Sequence, residues 1–183
     1  QPSSRAQARE ALAVAGAGRV LGRGGAQAAA RPIIEWLGDI APGTRAAAAD
    51  ILGDLGGPEA TAALVRTLSD SDATVRLRAV TALGKIGAHG DASVIVPLIS
   101  RLEDDKADVK RQTIEQLEAL RDRRAVIPLV ARFSDGSTEV RKAAVRAVGA
   151  LGDRTAVPAL LRLLGDPSED VRTVAVAALG TLG

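Results

Sequence analysis

The sequence predicts an all-α fold built from repeated pairs of helices, and three observations predict it. A set of markers recurs about every 31 residues along the 183-residue chain. Each repeat holds two segments with apolar residues at helical spacing, and none alternates at the period of two typical of strands. The chain has one Phe, one Trp and no Tyr, Met or Cys, so its core must use Ala, Val, Leu and Ile. Such side chains favour thin, closely packed helices over one deep core.

Three markers define the repeat. The first is a pair ending in a basic residue, at Thr44-Arg45, Val75-Arg76, Val109-Lys110, Val140-Arg141 and Val171-Arg172. The second is a Leu-Gly-x-Leu-Gly sequence that follows, as from Leu179 to Gly183. The third is an aspartate that precedes the pair, at Asp39, Asp70, Asp104, Asp135 and Asp166. We interpret residues 1–183 as one domain with repeats over approximately 6–43, 44–74, 75–108, 109–139 and 140–170 and a half repeat over 171–183.

The first helix of each repeat, helix A, is predicted over 73–86, 107–120, 138–151 and 169–182. Pro42 takes the first helical position of its repeat, where a missing N–H does no harm. Its expected N-caps, whose side chains can accept from the first free N–H groups, are Asp72, Ser137 and Ser168. Its expected left-handed C-caps are Gly56, Gly87 and Gly152.

A glycine also recurs inside helix A, at Gly53, Gly84, Gly149 and Gly180. Glycine in a helix interior costs about 1 kcal/mol relative to alanine. Its recurrence therefore predicts that the backbones of neighbouring helices approach closely at these positions.

The second helix of each repeat, helix B, is predicted over 59–69, 93–103, 125–134 and 156–165. Proline is tolerated only in the first turn of a helix, so the start of helix B is set by Pro97, Pro128 and Pro158. Its buried face is predicted to include Leu64, Leu68, Leu129 and Phe133.

Composition excludes several kinds of site. Without Cys the chain has no disulfide, thiolate metal site or cysteine nucleophile, and with His89 as its one histidine it has no multi-histidine metal site. We therefore predict no catalytic residue, no metal ligand and no cofactor. The 24 basic and 22 acidic residues give a net charge of +2, which alone does not indicate nucleic-acid binding. No apolar run approaches the ~20 residues that cross a bilayer, so we expect no membrane partner. We expect a cytoplasmic location.

The Val-Arg pair that opens helix A, the Leu-Gly-x-Leu-Gly that closes it and the Ala-Val-Pro-x-Leu-Leu of residues 156–161 resemble HEAT-type repeats, specifically the short variety named after phycobilisome lyases. The resemblance is clear over 44–183 and looser over 6–43. It implies a right-handed superhelical α-solenoid. It also implies a protein-binding scaffold, or, as in a minority of relatives, a subunit of a lyase that attaches or isomerises bilin chromophores. No motif of this chain matches a bilin-binding site.

In such a solenoid helix B lines the concave surface, where repeat arrays bind their partners. Two columns of helix B are predicted to be exposed there: Glu35, Arg66, Ser100, Ala131 and Arg162, and then Trp36, Thr67, Arg101, Arg132 and Leu163. The candidate partner-binding residues are Trp36, Arg66, Arg101, Arg124, Arg132 and Arg162, since Arg and Trp are enriched at interface hot spots. The alternatives are an ordinary solvated helix surface and a Trp36 that covers the N-terminal end of the core.

The aspartate and basic columns pair by register, Asp39 with Arg45 through Asp166 with Arg172. We interpret them as a structural ladder that caps turns and links repeats, because an ionic binding track would not recur in every repeat. The last helix A carries the apolar residues Val174, Val176, Leu179 and Leu182 without a following helix B. A terminal repeat should present a polar outer face, so we expect a continuation of the protein, a second chain or self-association to cover this end.

These observations favour a non-enzymatic scaffold that binds an acidic or mixed-charge segment of a partner protein. One alternative is a bilin lyase or chaperone-type subunit, which rests on the resemblance alone. A second is nucleic-acid binding through the arginine-lined groove, which the near-neutral charge and the lack of stacking aromatics disfavour.

Overall fold

The computed structural model describes residues 30–183, and every regular element in that range is a helix or a 3₁₀ turn. The chain divides into two compact units between Val94 and Ile95. The interpretation of 1–183 as one domain stays a prediction.

The first unit contains a helical segment over 30–36, named α1 here, and three further helices. They are α2 (Pro42–Leu55), α3 (Pro58–Thr67) and α4 (Ala73–Ala88), followed by a 3₁₀ turn at Ala92–Val94. Helices α2 and α4 are the helix A of successive repeats and pack side by side, and α3 packs against both as helix B. Leu52, Leu64 and Leu83 are fully buried between them.

The second unit continues the alternation. Its helix A members are α6 (Ala107–Leu120), α8 (Thr138–Leu151) and α10 (Glu169–Leu182), and α8 packs against both of the others. Its helix B members are α5 (Ile95–Ser100), α7 (Val126–Ala131) and α9 (Val157–Arg162). Short 3₁₀ turns flank these three helices at Arg101–Glu103, Arg123–Ala125, Arg132–Ser134, Arg154–Ala156 and Leu163–Gly165. Phe133 is buried in the core, as predicted for helix B.

In the second unit helix B is therefore a six-residue α-helix extended by 3₁₀ turns, where the sequence predicts one continuous helix. In the first unit α3 is continuous, as predicted. Proline in the first α-helical turn has no N–H to donate. The residues before it form a 3₁₀ turn, in which each N–H donates to the carbonyl three residues earlier. Ala125 N donates to Asp122 O and Ala156 N to Asp153 O, both at 3.1 Å.

Helix A follows its predicted bounds except at one end. The residues inserted around His89 extend α4 to Ala88, His89 caps it, and Gly90 reverses the chain with a φ of 98°. Gly87 thus lies inside the helix, and its assignment as a C-cap is wrong. Gly152 is left-handed as predicted, and Gly56 has a positive φ of 66° without being left-handed helical. Arg121 takes the position of Gly152 one repeat earlier, with a φ of 53°.

Two of the three predicted N-caps make no side-chain cap. Asp72 accepts hydrogen bonds from Thr74 N and Val75 N, at 2.8 and 3.2 Å. Ser137 and Ser168 occupy the N-cap position without a side-chain cap bond. Their backbone N–H groups donate instead to the marker aspartates Asp135 and Asp166, at 2.9 and 2.8 Å.

The glycine column of helix A does mark close backbone approach. A Cβ placed on Gly53 would lie 2.7 Å from Ala82 Cα, and one on Gly149 would lie 2.9 Å from Ala178 Cβ. A Cβ on Gly180 would meet nothing within 4 Å, so the prediction is wrong for that glycine in the described part of the chain.

Within each unit the aspartate ladder joins neighbouring repeats. Arg45 donates through Nε and Nη2 to Asp70, both at 2.8 Å, and Arg141 does the same to Asp166, at 2.9 and 3.0 Å. Lys110 Nζ lies 2.7 Å from the Asp135 carboxylate. The predicted pairing of carboxylates within a repeat is therefore wrong: each of these carboxylates binds the basic residue 25 positions earlier.

The same arginines also reach back to their own repeat. Arg45 Nη1 donates to Asp39 O, Arg141 Nη1 to Asp135 O and Arg172 Nη1 to Asp166 O, each at 2.9 Å. Arginine has enough donors to hold a turn and a carboxylate together. The hydrogen bonds from Arg45 and Arg141 lower the pKa of Asp70 and of Asp166 below the usual value for aspartate.

Candidate protein-binding surface

The first predicted column of helix B is exposed throughout. Arg66 on α3 is exposed in the first unit, and Ser100, Ala131 and Arg162 are exposed in the second. Within residues 30–183 the guanidinium groups of Arg66 and Arg162 have no hydrogen-bond or ion-pair partner. These two cations are therefore available to an acidic ligand.

The second predicted column is not an exposed face. Thr67 and Leu163 are buried, because this side of helix B packs inside its unit. Trp36, at the end of α1, is partly exposed, and its carbonyl accepts a hydrogen bond from Asp39 N at 3.2 Å.

Arg132 is held by the preceding repeat. Its guanidinium donates to Leu102 O at 3.0 Å and pairs with the carboxylate of Glu103, and only 14% of its side chain is exposed. Its Nε is buried without a hydrogen-bond partner. This geometry links two repeats and leaves the side chain little freedom to meet a partner.

The other two predicted arginines are also engaged. Arg124 forms a two-pronged pair with Asp122 through Nε and Nη2, at 2.9 and 2.7 Å, which raises the pKa of the guanidinium and lowers that of the carboxyl. Arg101 is partly buried, and its Nε lies 3.4 Å from Ser100 Oγ. The structure thus does not bring the six predicted residues together as one set of free side chains.

Sequence reasoning missed an aliphatic stripe on the second unit. Ile127 on α7 is 80% exposed and Val96 on α5 is 62% exposed, and Leu161 on α9 is more than half exposed. Pro158 is exposed one helical turn before Leu161. We name Val96, Ile127, Pro158 and Leu161 the aliphatic stripe. Its signal in the sequence was the 31-residue spacing of Val96, Ile127 and Pro158.

The helices of the stripe are neighbours. Helix α5 packs against the 3₁₀ turn that opens α7, and α7 packs against the turn that opens α9. Arg162 follows Leu161 on α9, at the end of the stripe. The second unit thus joins exposed aliphatic groups to a free cation.

The first unit has a cleft beside Arg66. It holds about 320 Å³ between α1 and α3 and is lined by Ile34, Leu37, Ala63 and Thr67 together with Arg66 and Asp70. The charge of Asp70 is already paired with Arg45. The cleft therefore offers aliphatic walls and one unpaired positive group.

A larger cavity of about 620 Å³ lies among the interhelix turns of the first unit, lined by Leu55, Pro58, Ile86, His89 and Asp91 among others. Asp91 accepts from Ser93 N and Thr61 Oγ1, at 3.0 and 3.2 Å, and a hydrogen bond from the Ser93 side chain lowers its pKa. That carboxylate stabilises a turn, and His89 is exposed.

No group of three potential metal ligands occurs among residues 30–183. In the same range, no helix has the length and hydropathy needed to cross a bilayer.

Comparison with known proteins identifies the repeat. The family model for HEAT repeats matches residues 4–84, 30–115 and 95–180. A chain from the complex of CpcE and CpcF of phycocyanin lyase from Nostoc sp. PCC7120 is 26% identical, with a TM-score of 0.65 over 84% of this chain and 64% of that one. This protein therefore spans less than two thirds of that lyase chain.

Other solved structures share the fold. A designed armadillo repeat protein in complex with the peptide (KR)4 is 24% identical, with a TM-score of 0.64 over 98% of this chain and 92% of that one. An engineered protein is 21% identical, with a TM-score of 0.61 over 100% of this chain and 92% of that one. No curated protein matches the sequence. The matches to the HEAT-repeat model span most of the chain, and the protein belongs to the HEAT-repeat family, with an all-α, solenoid-type repeat fold.

Proposed function

We propose that this protein is a non-enzymatic scaffold that holds a segment of another protein against the exposed faces of its B helices. The aliphatic stripe carries this proposal. Exposed aliphatic groups on successive helices mark interaction sites, because their removal from water favours binding. Ile127 and Val96 stand at equivalent positions of neighbouring repeats, which suits an extended ligand that crosses several helices.

Charge defines the partner further. Arg162 at the stripe and Arg66 at the cleft of the first unit make no hydrogen bond or ion pair within residues 30–183. An acidic group on the partner gains an ion pair with either arginine without breaking an existing one. The partner segment we propose is therefore aliphatic and acidic. We also propose that the scaffold acts in the cytoplasm.

The test is selection from a phage-displayed library of random peptides on the full chain. We expect the selected peptides to combine aliphatic residues with Asp or Glu, and to lose at least about tenfold in affinity to Ile127→Glu or Arg162→Glu. Both side chains are exposed, so these variants should fold as the wild type does.

Matched controls introduce the same substitutions at exposed positions away from the B helices. Ile40→Glu changes an aliphatic residue that is 97% exposed on an interhelix turn, and Arg146→Glu changes an exposed arginine of helix A. Neither should alter peptide binding. A library without enrichment, or peptides that bind the helix-B variants as well as the wild type, would show that these faces are not the binding surface.

A bilin lyase or chaperone-type subunit is the second candidate. It is favoured by the 26% identity to a chain of the phycocyanin lyase complex over 84% of this chain. A reconstituted assay with bilin and an acceptor antenna protein tests it, and failure to bind or transfer bilin would remove it.

The nucleic-acid alternative has weaker support. Of the predicted arginines, Arg124 and Arg132 are paired with acids, so their charge is already neutralised. Absence of affinity for DNA or RNA at low salt would exclude it.

A further inference from the structure

Arg121 occupies a position that glycine holds in the repeats before and after it. Its counterparts, each 31 residues away, are Gly90 and Gly152, which have φ angles of 98° and 73°. Arg121 itself has a φ of 53°. The left-handed backbone is strained in a residue with a Cβ and unstrained in glycine. Local structure therefore favours glycine at this turn, and arginine there lowers the stability of the fold.

Contacts of the Arg121 side chain do not offset that strain within the described residues. Its guanidinium makes no hydrogen bond or ion pair within residues 30–183. The acid three residues earlier, Glu118, pairs with Arg146 at 3.6 Å instead, and its backbone carbonyl accepts from Arg121 N at 3.2 Å. Strained residues of this kind cluster at binding sites and switches, so the exposed guanidinium points to a ligand.

Arg124, in the same turn, also departs from its counterpart in the next repeat. Asp122 and Asp153 each cap their turn by accepting from the backbone N–H two residues on, at 2.9 and 3.0 Å. The Thr155 hydroxyl then donates to Asp153 at 2.7 Å, in the place where Arg124 Nε donates to Asp122 at 2.9 Å. A hydroxyl thus meets the local requirement, and closing the turn does not need an arginine.

A third arginine of the turn is largely exposed. Arg123 keeps 75% of its side chain in solvent, and its Nη2 lies 3.5 Å from the Asp153 carboxylate. An exposed ion pair contributes little to stability. We name Arg121, Arg123 and Arg124 the arginine turn. Asp122 and Asp153 balance two of its three charges, so the turn keeps a net positive charge.

The arginine turn lies directly before the central helix of the aliphatic stripe. Arg124 precedes Ile127 on α7 by three residues, and side chains three residues apart share a face in both 3₁₀ and α-helices. Both side chains are exposed. Arg162, the cation already assigned to the stripe, lies at the other end of a B helix, where α9 closes. The arginine turn is therefore a separate cationic site beside the same surface.

We propose that the arginine turn is a second anion site, which binds carboxylates of the partner segment held by the aliphatic stripe. Arg121 and Arg123 are two residues apart, within about 7 Å along the chain, so one acidic stretch can meet both. Guanidinium donors match carboxylate oxygens in geometry and charge. This proposal rests on the scaffold function and places the partner's acidic residues over the start of α7. The one aromatic residue of the second unit, Phe133, is buried, which disfavours stacking of nucleic-acid bases.

The probe for this site is a fluorescein-labelled hexaglutamate peptide, titrated with the full chain by anisotropy at low salt. It has no aliphatic side chain, so it tests the cationic site without the stripe. We expect saturable binding that Arg121→Gly weakens roughly threefold and the double variant with Arg123→Gln roughly tenfold. Salt at about 150 mM should weaken it further, since exposed charges are screened.

Arg121→Gly separates ligand binding from folding. It should raise the midpoint of thermal unfolding by about 2–4 °C while it weakens the probe, because glycine relieves the backbone strain. Arg121→Lys, which keeps the charge, should retain most of the binding. Arg111→Gln is the matched control, since it removes an exposed arginine of α6 and should leave the probe unaffected. Binding that survives Arg121→Gly, or that Arg111→Gln weakens equally, overturns the proposal.

Two further measurements identify the ligand and separate this site from the stripe. Ile127→Ser should leave hexaglutamate binding unchanged and should weaken the aliphatic, acidic peptides selected from the library. Selected peptides that depend on Ile127 while hexaglutamate ignores Arg121 would contradict this proposal alone, and the reverse would contradict the stripe alone. A hexathymidylate probe that binds more tightly than hexaglutamate and depends on Arg121 would make the turn a nucleic-acid site and overturn the assignment to carboxylates.

Discussion

Arg141 binds both carboxylate oxygens of Asp166 across the boundary between two repeats, while its third nitrogen holds the carbonyl of Asp135 in its own repeat. Both side chains are buried. A buried two-pronged pair of this kind directs the mutual position of its two elements. This rung of the ladder thus helps to fix the position of the repeat of α10 relative to α8.

Asp166→Ala should lower the free energy of unfolding by about 3 kcal/mol, because it leaves the buried Arg141 guanidinium without its counterion. Urea denaturation of the full chain measures this. Asp170→Ala is the control, since Asp170 is an exposed partner of Lys142 and its loss should fall within the error of the measurement. Equal effects of the two variants would contradict a special role for the ladder.

Acid should weaken the fold through the same aspartates. Hydrogen bonds from arginine lower the folded-state pKa of Asp70 and Asp166, so the stability they add is complete above their unfolded pKa of about 3.9. It is lost as the pH falls through the folded pKa. We expect a plateau in unfolding free energy between about pH 5 and pH 8 and a decline below about pH 4, measured by urea denaturation.

Asp166→Asn supplies the control for the acid effect. The amide oxygen can still accept from Ser168 N, but the side chain does not titrate. This variant should be less stable at neutral pH and should lose less between pH 5 and pH 2 than the wild type. An unchanged acid profile would assign the decline to other groups.

The two glycines inside helix A of the second unit, Gly149 and Gly180, should respond in opposite directions to substitution by alanine. Gly149→Ala forces a methyl group into the close contact with Ala178 and should lower stability by about 1–3 kcal/mol. Gly180→Ala meets open space and should raise stability by up to about 1 kcal/mol through helix propensity. Thermal unfolding of the two variants side by side measures both, and the same sign for both would contradict the packing difference.

Arg121 is the one non-glycine residue with positive φ among residues 30–183. The left-handed conformation costs a residue with a Cβ about 1–2 kcal/mol, so Arg121→Gly should raise the free energy of unfolding by about 1 kcal/mol. Gly152→Ala, at the same position of the next repeat, should lower it by a similar amount. A neutral Arg121→Gly would show that contacts of the arginine side chain offset the strain.

Much of the fold follows from the sequence because the same helix boundary can be compared between several repeats in one register. Helix A bounds agree across four repeats, and the one misplaced end lies at the inserted residues around His89, where no second repeat gives a register. The partners within the ladder could not be predicted from the sequence. Arg141 follows one aspartate by six residues and precedes another by 25, and spacing does not show which carboxylate it binds. In the structure Arg141 binds the carboxylate of Asp166 in the next repeat and only the backbone carbonyl of Asp135 in its own.

The candidate surface was less predictable because a long side chain at an exposed position can either bind a neighbouring repeat or remain free, and the sequence does not show which. Arg132 and Arg66 look alike in sequence, yet Arg132 bends to Glu103 and Leu102 of the preceding repeat while Arg66 stays free within residues 30–183. Ile127 belongs to a helix that is apolar on most sides, so periodicity alone does not identify its exposed position. Packing decides which face of a short helix meets water.

The arrangement of the ladder has an evolutionary consequence. Two contacts that join α8 to α10 recur between α2 and α4 at the same offset, a basic residue with an aspartate 25 positions on and a glycine with an alanine of the next helix A. Duplication of a 31-residue unit that carries these residues therefore brings the same partners together at the new junction. Such a unit needs no compensating substitution there, while its exposed B helix remains free to vary.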